Sequence, residues 1–284
     1  MSAIDTERLR GWIGRKESRE DVATAWPVIG LTATFDRNDP DPKPGDAVPP
    51  GWHWLYFLEA KPASVLGKDG HPRVGGFLPE TGLPRRMWAG GRIEFRRALR
   101  VGDPIRRDAE VISIEPKEGR SGKLVFVTVR YTVSAAGEVA VVEELDIVYR
   151  EAAKAGVTPP PAKPAPRQAD WRRELTADPV MLFRYSALTF IGHRIHYDLD
   201  YCRQEEGYPG LVVHGPLQAL LILDLCRRHE ARPVKRFDYR ALHPVFHFER
   251  FSVNANPSAD TTRAELWTAN AAGEVAMQAT ACFV

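Results

Sequence analysis

The chain has 284 residues, 44% hydrophobic and 27% charged, with a formal net charge of +2. That balance supplies core material for one large domain or two ordinary ones, and it lacks the overall basic excess of a nucleic-acid binder, so no nucleic-acid partner is expected. Cys202, Cys226 and Cys282 stand far apart with no CxxC pair, which points to reduced thiols. The start, MSAIDTERLRGWIGRKE, has no apolar leader segment, and no apolar run reaches about 18 residues, so a cytoplasmic protein without a membrane partner is expected.

In chain order, Ser18 and Asp21 have capping-box spacing ahead of VATAWPVIGLTATF, which predicts a helix over 18–36 broken or kinked at Pro27. A Pro/Asp/Gly loop fills 36–51, and WHWLYF (52–57) reads as a strand. Residues 58–91 have few periodic apolar positions and form a long excursion that carries Arg85, Arg86 and Trp88. Long excursions inside a compact domain tend to be functional.

Four strands follow, RIEFRRAL (92–99), AEVISIE (109–115), KLVFVTVRYTV (123–133) and EVAVVEELDIVYR (138–150). Five prolines within 159–166 then exclude helix and central strand. The expected organisation is a first half at 1–152, a Pro/Ala linker at 153–170 and a second half at 171–284.

In the second half VMLFRYSALT (180–189) reads as a strand or a strand and turn, and LVVHGPLQALLILDLCRR (211–228) as a buried helix. Residues 245–253, 262–269 and 274–284 are strands. The hexapeptide AAGEVA forms the last turn of both halves, at 135–140 and 271–276, and both halves run helix first and strands last. This points to an internal duplication. A long apolar helix wrapped by a twisted antiparallel sheet, twice over, suits an α+β double hot-dog with its two sheets joined edge to edge, which also removes an exposed edge. Two unrelated α+β domains are the other arrangement the pattern allows.

Chemistry concentrates in 185–217, with His193, His196, Asp198 and the His214-Gly215 pair ahead of the apolar helix. Histidine is the natural general base near neutral pH. His193, His196 and His214 could instead ligate a metal, but their spacing fits no common zinc pattern and HExxH is absent, so no metal is expected. If the helix starts at Pro216, Gly215 offers a backbone N–H at the positive end of the helix dipole, suited to an oxyanion; an ordinary glycine at a helix start would look the same. Arg85, Arg86, Arg96, Arg97, Arg100, Arg106 and Arg107 form a basic concentration, and Lys117, Arg120 and Lys123 a second. Such cations could meet phosphates or a carboxylate, or be solvated surface. KEGRSGK lacks the glycine spacing of a Walker A loop.

The run YSALT…HRIHYD…YPGLVVHGPL resembles the hydratase 2 motif of the MaoC-like, hydroxyacyl-thioester dehydratase type 2 family. PPGWHWLYF, LGKDGHP, GGFLPETGLPRRMWAGGRIEF and EELDIVYR are similar to the first half of the mesaconyl-C4-CoA (3-methylfumaryl-CoA) and itaconyl-CoA hydratases within it. The resemblance spans nearly the whole chain outside the linker. It implies a double hot-dog with one active site between a degenerate first half and a motif-bearing second half, and a homodimer.

It further implies His196 as the catalytic histidine, assisted by His193, and Gly215 as the oxyanion donor. Substrate contacts are expected from Arg86, Trp88, Arg194 and His214, with Arg86 or Arg194 meeting a substrate carboxylate. The substrate would be an acyl-CoA thioester, its coenzyme A arriving as part of the substrate, with no separate cofactor. The implied reaction is hydration of a branched C5 dicarboxylyl-CoA towards citramalyl-CoA. Alternatives are an (R)-specific 3-hydroxyacyl-thioester dehydratase, a weakened acyl-CoA binding protein and, lacking the carboxylate or nucleophile it needs, a thioesterase. The motif's aspartate, often asparagine in the type 2 branch, is Ile191 here, and its asparagine is His193. Isoleucine can neither hold water nor carry a proton.

Overall fold

A computed structural model describes residues 5–119, 122–151 and 162–284. In chain order its elements are α1 (Thr6–Arg10), β1 (Lys16–Val22), α2 (Ala25–Thr34), β2 (Arg85–Phe95), β3 (Pro104–Gly119), β4 (Gly122–Ala135) and β5 (Glu138–Arg150). The second set is β6 (Trp171–Thr176), α3 (Pro179–Thr189), α4 (Leu199–Tyr201), α5 (Gly215–His229), β7 (Val234–Ala241), β8 (Arg250–Pro257), β9 (Arg263–Ala269) and β10 (Val275–Phe283).

All ten strands form one antiparallel sheet, in the order β1-β3-β4-β5-β2-β7-β10-β9-β8-β6. Numbered within its own set of five, each strand occupies the same place from either end, the pattern of two copies of one unit meeting at β2 and β7. The seam pairs Gly90–Glu94 with Arg240–Arg236. Glycine is required there, because a Cβ on Gly90 would lie 2.5 Å from the Tyr239 carbonyl oxygen. The outer strands, KESREDV and WRRELT, carry charges that discourage further edge pairing.

Helix α5 lies in the curve of β6–β10, and every residue from Leu217 to Cys226 is buried. Its leucines contribute about 1.5–3 kcal/mol each by burial. Its two buried polar side chains are satisfied: Gln218 accepts from the Thr268 hydroxyl (2.8 Å), and Asp224 binds three arginines. One core cluster runs through both halves, from Leu31 and Phe35 to Leu220 and Phe237.

The structure departs from the sequence expectations at several elements. Only the second half has a long central helix. In the first half, prolines and glycines over 36–51 leave the 10-residue α2, a loop, and a single 3₁₀ turn at Trp52–Leu55 where a strand was expected. Gly51, at φ 85°, approaches α5 so closely that a Cβ would fall 2.5 Å from a Leu223 methyl. Ser18 and Asp21 belong to edge strand β1 rather than a capping box, and α2 starts at Ala25. Pro27 sits in its first turn, where the missing N–H breaks no bond. Residues 180–189 are helix α3, capped by Asp178, which accepts from Met181 N (2.9 Å), with Pro179 at its first position. Strands β1, β6 and β7 were not expected; KESREDV, WRRELT and VKRFDYRA lack the β-branched runs of β3–β5.

Of the linker, 153–161 lies outside the described residues; beyond it Lys163 and Ala165 bond backbone to backbone with Val275 and Gly273.

Candidate active site

Two segments meet in front of α5. From the second half, 192–196 ends in a 3₁₀ turn, Arg194–His196, not in extended chain. From the first half comes the turn Gly67–His71. Arg194 N donates to the Asp69 carbonyl (2.9 Å), and Gly70, at φ 86°, passes so close that a Cβ would lie 1.9 Å from the Gly192 carbonyl oxygen. The first half thus delivers Asp69 and His71 to the histidines of the second. His71 Nδ1 bonds the Asp69 carboxylate at 3.0 Å, and its ring lies 4.1 Å from His193.

His196 is 8% exposed, and its Nδ1 lies 2.7 Å from the Val212 carbonyl. A carbonyl only accepts, so Nδ1 carries the proton and Nε2 holds the free lone pair. Nε2 makes no hydrogen bond among the described residues. The ring stacks on His214 at 3.5 Å. His214 is the N-cap residue of α5, buried, with Nε2 at 2.9 Å from the Ser186 hydroxyl and Nδ1 buried without a partner.

Helix α5 begins at Gly215, with Pro216 second, so Leu211–His214 of the predicted 211–228 helix precede it and the start is one residue before Pro216. The Gly215 N–H is a first-turn donor with no backbone acceptor among the described residues. Trp88 lies over it: a Cβ on Gly215 would fall 2.7 Å from Trp88 Cε3, so a side chain there would displace the indole. Trp88 in turn stacks on Tyr239 at 4.5 Å.

An inner compartment of about 190 Å³ is walled by Trp54, Trp88, Arg107, Tyr131, Ile191 and Pro216. Trp54, Arg107, Tyr131 and Ile191 also line an outer groove of about 940 Å³, together with His71 and Arg86. Glu143 is buried beside the inner compartment, taking hydrogen bonds on one oxygen from Trp54 Nε1 (2.9 Å) and His53 Nε2 (3.1 Å).

Burial dominates the electrostatics. It drives the His196 pKa down to about 4, against the opposing bond to Val212, with His71 adding to the fall. Burial also places His214 well below 6.5, with His196 contributing, and lowers His193, with His71 contributing. His71 is lowered by burial despite Asp69; burial raises the Asp69 carboxyl, but the side-chain and backbone hydrogen bonds from His71, with the electrostatic contributions of His71 and His193, together outweigh it and hold it low. At neutral pH the cluster is therefore uncharged imidazole beside one carboxylate.

Unfolded histidine titrates near 6.5 and His196 near 4, so between those values the unfolded chain binds more protons. Stability is complete above 6.5 and falls as pH drops through that window, by about 1.4 kcal/mol per pH unit for each fully buried ring. Urea midpoints at pH 7.5 and 5 should show the loss; equal midpoints would contradict the buried, neutral assignment.

Of the residues singled out in the sequence, Trp88 lines the inner compartment and Arg86 the outer groove; Gly215 lies under Trp88, and His193 and His196 sit behind the lining, next to His71 and His214. Arg194 lines neither: its guanidinium pairs with Asp198 (2.7 Å), donates to the Lys68 carbonyl and lies over Tyr201. With its donors committed, it is not the free cation a substrate carboxylate needs. Asp198 turns towards Arg194 and caps α4, so it does not share a face with His196. His214, at 1% exposure, supports His196 from behind rather than touching the groove. Asp69, His71 and Glu143 were not among the candidates, and Arg107 stood only as one member of a basic concentration.

Asp69, His71 and His193 also offer ligand atoms within 4.8 Å of one another, near enough for a cation. The Asp69–His71 hydrogen bond and the positive charge of Arg86, which bears on both rings, oppose one.

The sequence profile described as hydroxyacyl-thioester dehydratase type 2 matches residues 51–247. The mesaconyl-C(4)-CoA hydratase of Chloroflexus aurantiacus is 45% identical over 280 residues, 99% of this chain and 98% of that protein. The chain belongs to the hydroxyacyl-thioester dehydratase type 2 family. A solved MaoC-like dehydratase superposes with TM-score 0.71 at 15% identity, over 97% of this chain and 99% of that one. A Mycobacterium tuberculosis protein described as a double hotdog fold gives 0.57 at 12% identity, over 96% of each chain. The fold of this type 2 dehydratase family member is a double hot-dog.

Proposed function

We propose that the chain is an acyl-CoA hydratase that adds water across the double bond of a branched C5 dicarboxylyl-CoA, mesaconyl-C4-CoA or itaconyl-CoA, giving citramalyl-CoA. The observation that carries the reading is His196, a neutral imidazole with Nδ1 tied down and Nε2 free, stacked on the residue that caps α5. A base and the open end of a helix dipole are thereby one residue apart. The 45% identity to a mesaconyl-C(4)-CoA hydratase over almost the full length supports the substrate class.

In this mechanism the thioester oxygen takes the Gly215 N–H. As a water oxygen bonds to the β-carbon of the α,β-unsaturated thioester, His196 Nε2 takes the water's proton, the C=C π pair moves into the bond between the α-carbon and the thioester carbon, and the carbonyl π pair moves onto oxygen, giving an enolate held at the helix N-terminus. The His196 imidazolium then protonates the α-carbon, so the proton count closes on one residue. His193, backed by the Asp69–His71 pair, orients the water in place of the group that Ile191 cannot supply. Arg86 faces the charged, CoA-bearing side in the outer groove, and Trp88 packs against the acyl group. Desolvation serves this scheme, because it keeps His196 unprotonated at working pH.

The second reading is a dehydratase or hydratase for simple acyl chains, favoured by the apolar side chain of Ile191 in both compartments. Comparing kcat/KM for mesaconyl-C4-CoA, itaconyl-CoA and crotonyl-CoA separates the two. A dicarboxylic thioester should be preferred by roughly tenfold or more, since a missing charged partner leaves buried donors unpaired. Preference for crotonyl-CoA would replace the first reading with the second.

A further inference from the structure

We infer that Arg107 is the anchor for the free carboxylate of the acyl group, a role that rests on the hydratase reading above. Arg107 is on β3, in the row that buries Ile105 and Ala109, so a cation stands in a core-facing register position. Its neighbour Arg106 faces the other way and is paired with Glu20 and Asp108. Arg107 has no ion-pair partner among the described residues, and its Nε is buried without a hydrogen bond.

The guanidinium lies between two rings, 5.2 Å from the centre of Phe57 and 5.1 Å from that of Tyr131. Register explains the second contact: Arg107 is opposite Val133 and Ala109 opposite Tyr131, so Arg107 and Tyr131 are diagonal neighbours on adjoining strands. Flanking rings fix the plane of the fork and partly compensate its charge while leaving its edge free. The acidic groups that line the same two compartments are already held: Glu143 by His53 and Trp54, Glu17 by Arg19, and Glu59 by Arg19 and Lys61. A guanidinium cannot shed its charge, and a bound carboxylate completes its donors in bidentate fashion.

Position singles out Arg107 over Arg86. Arg107 and Pro216, at the start of α5, line the same compartment of about 190 Å³, whereas Arg86 lines only the outer groove. In mesaconyl-C4-CoA the carboxylate is on the carbon that receives water, two carbons from the thioester carbonyl. Its anchor must therefore stand close to the oxyanion donor. Arg107 lines the compartment together with Pro216 and Trp88, the two residues that adjoin Gly215.

The test compares Arg107→Met, Arg107→Lys and Arg86→Met on mesaconyl-C4-CoA and crotonyl-CoA, with the thermal midpoint of each variant recorded. For Arg107→Met the KM for the dicarboxylic thioester should rise roughly ten- to hundredfold while that for crotonyl-CoA changes no more than about threefold. Arg107→Lys, which keeps charge but loses the fork, should fall between. Equal loss on both substrates with an unchanged midpoint, or a selective defect in Arg86→Met and none in Arg107→Met, would overturn the assignment. If Arg107→Met fails to fold, Arg107→Lys carries the comparison. A wild-type protein that hydrates neither thioester would instead remove the hydratase reading itself.

Discussion

His196→Ala lowers kcat on the enoyl thioester by roughly 10²–10⁴-fold, the range for losing a positioned proton-transfer group. The effect reaches turnover more than binding, because the substrate contacts proposed at Arg107, Trp88 and Gly215 remain. His196→Gln, which keeps much of the ring's volume against His214, should be equally slow, separating lost chemistry from a cavity beside a buried imidazole. The readout is the decay of enoyl-thioester absorbance. Undiminished turnover in both variants would remove His196 from the mechanism. The wild-type acid limb of kcat/KM should lie near 4, where His196 takes up its proton, rather than near 6.5.

The second large effect concerns stability. Asp224 is fully buried on α5, and its carboxylate receives Arg37 Nη1 at 2.7 Å, Arg228 Nε at 2.8 Å and Arg173 Nη1 at 3.0 Å. Arg37 belongs to the loop after α2 and Arg173 to β6, so one carboxylate ties the central helix to both halves. Arg173 and Arg228 also donate to the Phe35 carbonyl. Asp224→Ala leaves three guanidinium groups facing one another without their anion, and should cost about 3–5 kcal/mol in chemical denaturation. The lower end is expected, since Arg173 and Arg228 keep 24% and 30% side-chain exposure. Asp224 lies nine residues along α5 from Gly215, about 14 Å at helical rise. Variant that remains folded should therefore hydrate substrate within a few-fold of the wild-type rate. A loss under about 1 kcal/mol would show that the network is replaceable by solvent.

Much of this architecture is written plainly in the chain. The β-branched runs at 109–115, 123–133 and 138–150 needed only their alternation and turns to be read as strands, and the apolar helix after Gly215 followed from its length. Elements that failed were those where tertiary contact outweighs local pattern. WHWLYF has strand composition, but Gly51 turns it against α5, and its side chains pack against Trp88, Phe95 and Tyr239 of β2 and β7 without backbone pairing to a strand. VMLFRYSALT has strand-like side chains, but Asp178 and Pro179 begin a helix, and that capping signal outweighs the composition.

The site was half legible for a similar reason. His193, His196 and Gly215 lie within one short stretch, whereas Asp69, His71 and Arg107 come from sequence positions far from it. Only the docking of Gly70 on Gly192 and the register of β3 against β4 bring them in. Arg107 was visible only as one of seven arginines in a basic concentration. What distinguishes it is facing inward without an anion, a property of the fold rather than of the composition.

The most direct test of the account is the mass of the product formed when the purified protein meets mesaconyl-C4-CoA, itaconyl-CoA or crotonyl-CoA in the presence of excess EDTA. At least one dicarboxylic thioester should gain the mass of one water with its CoA still attached, at a rate the chelator does not change. Release of free CoA without addition of water, or dependence of the reaction on a restored divalent ion, would contradict it.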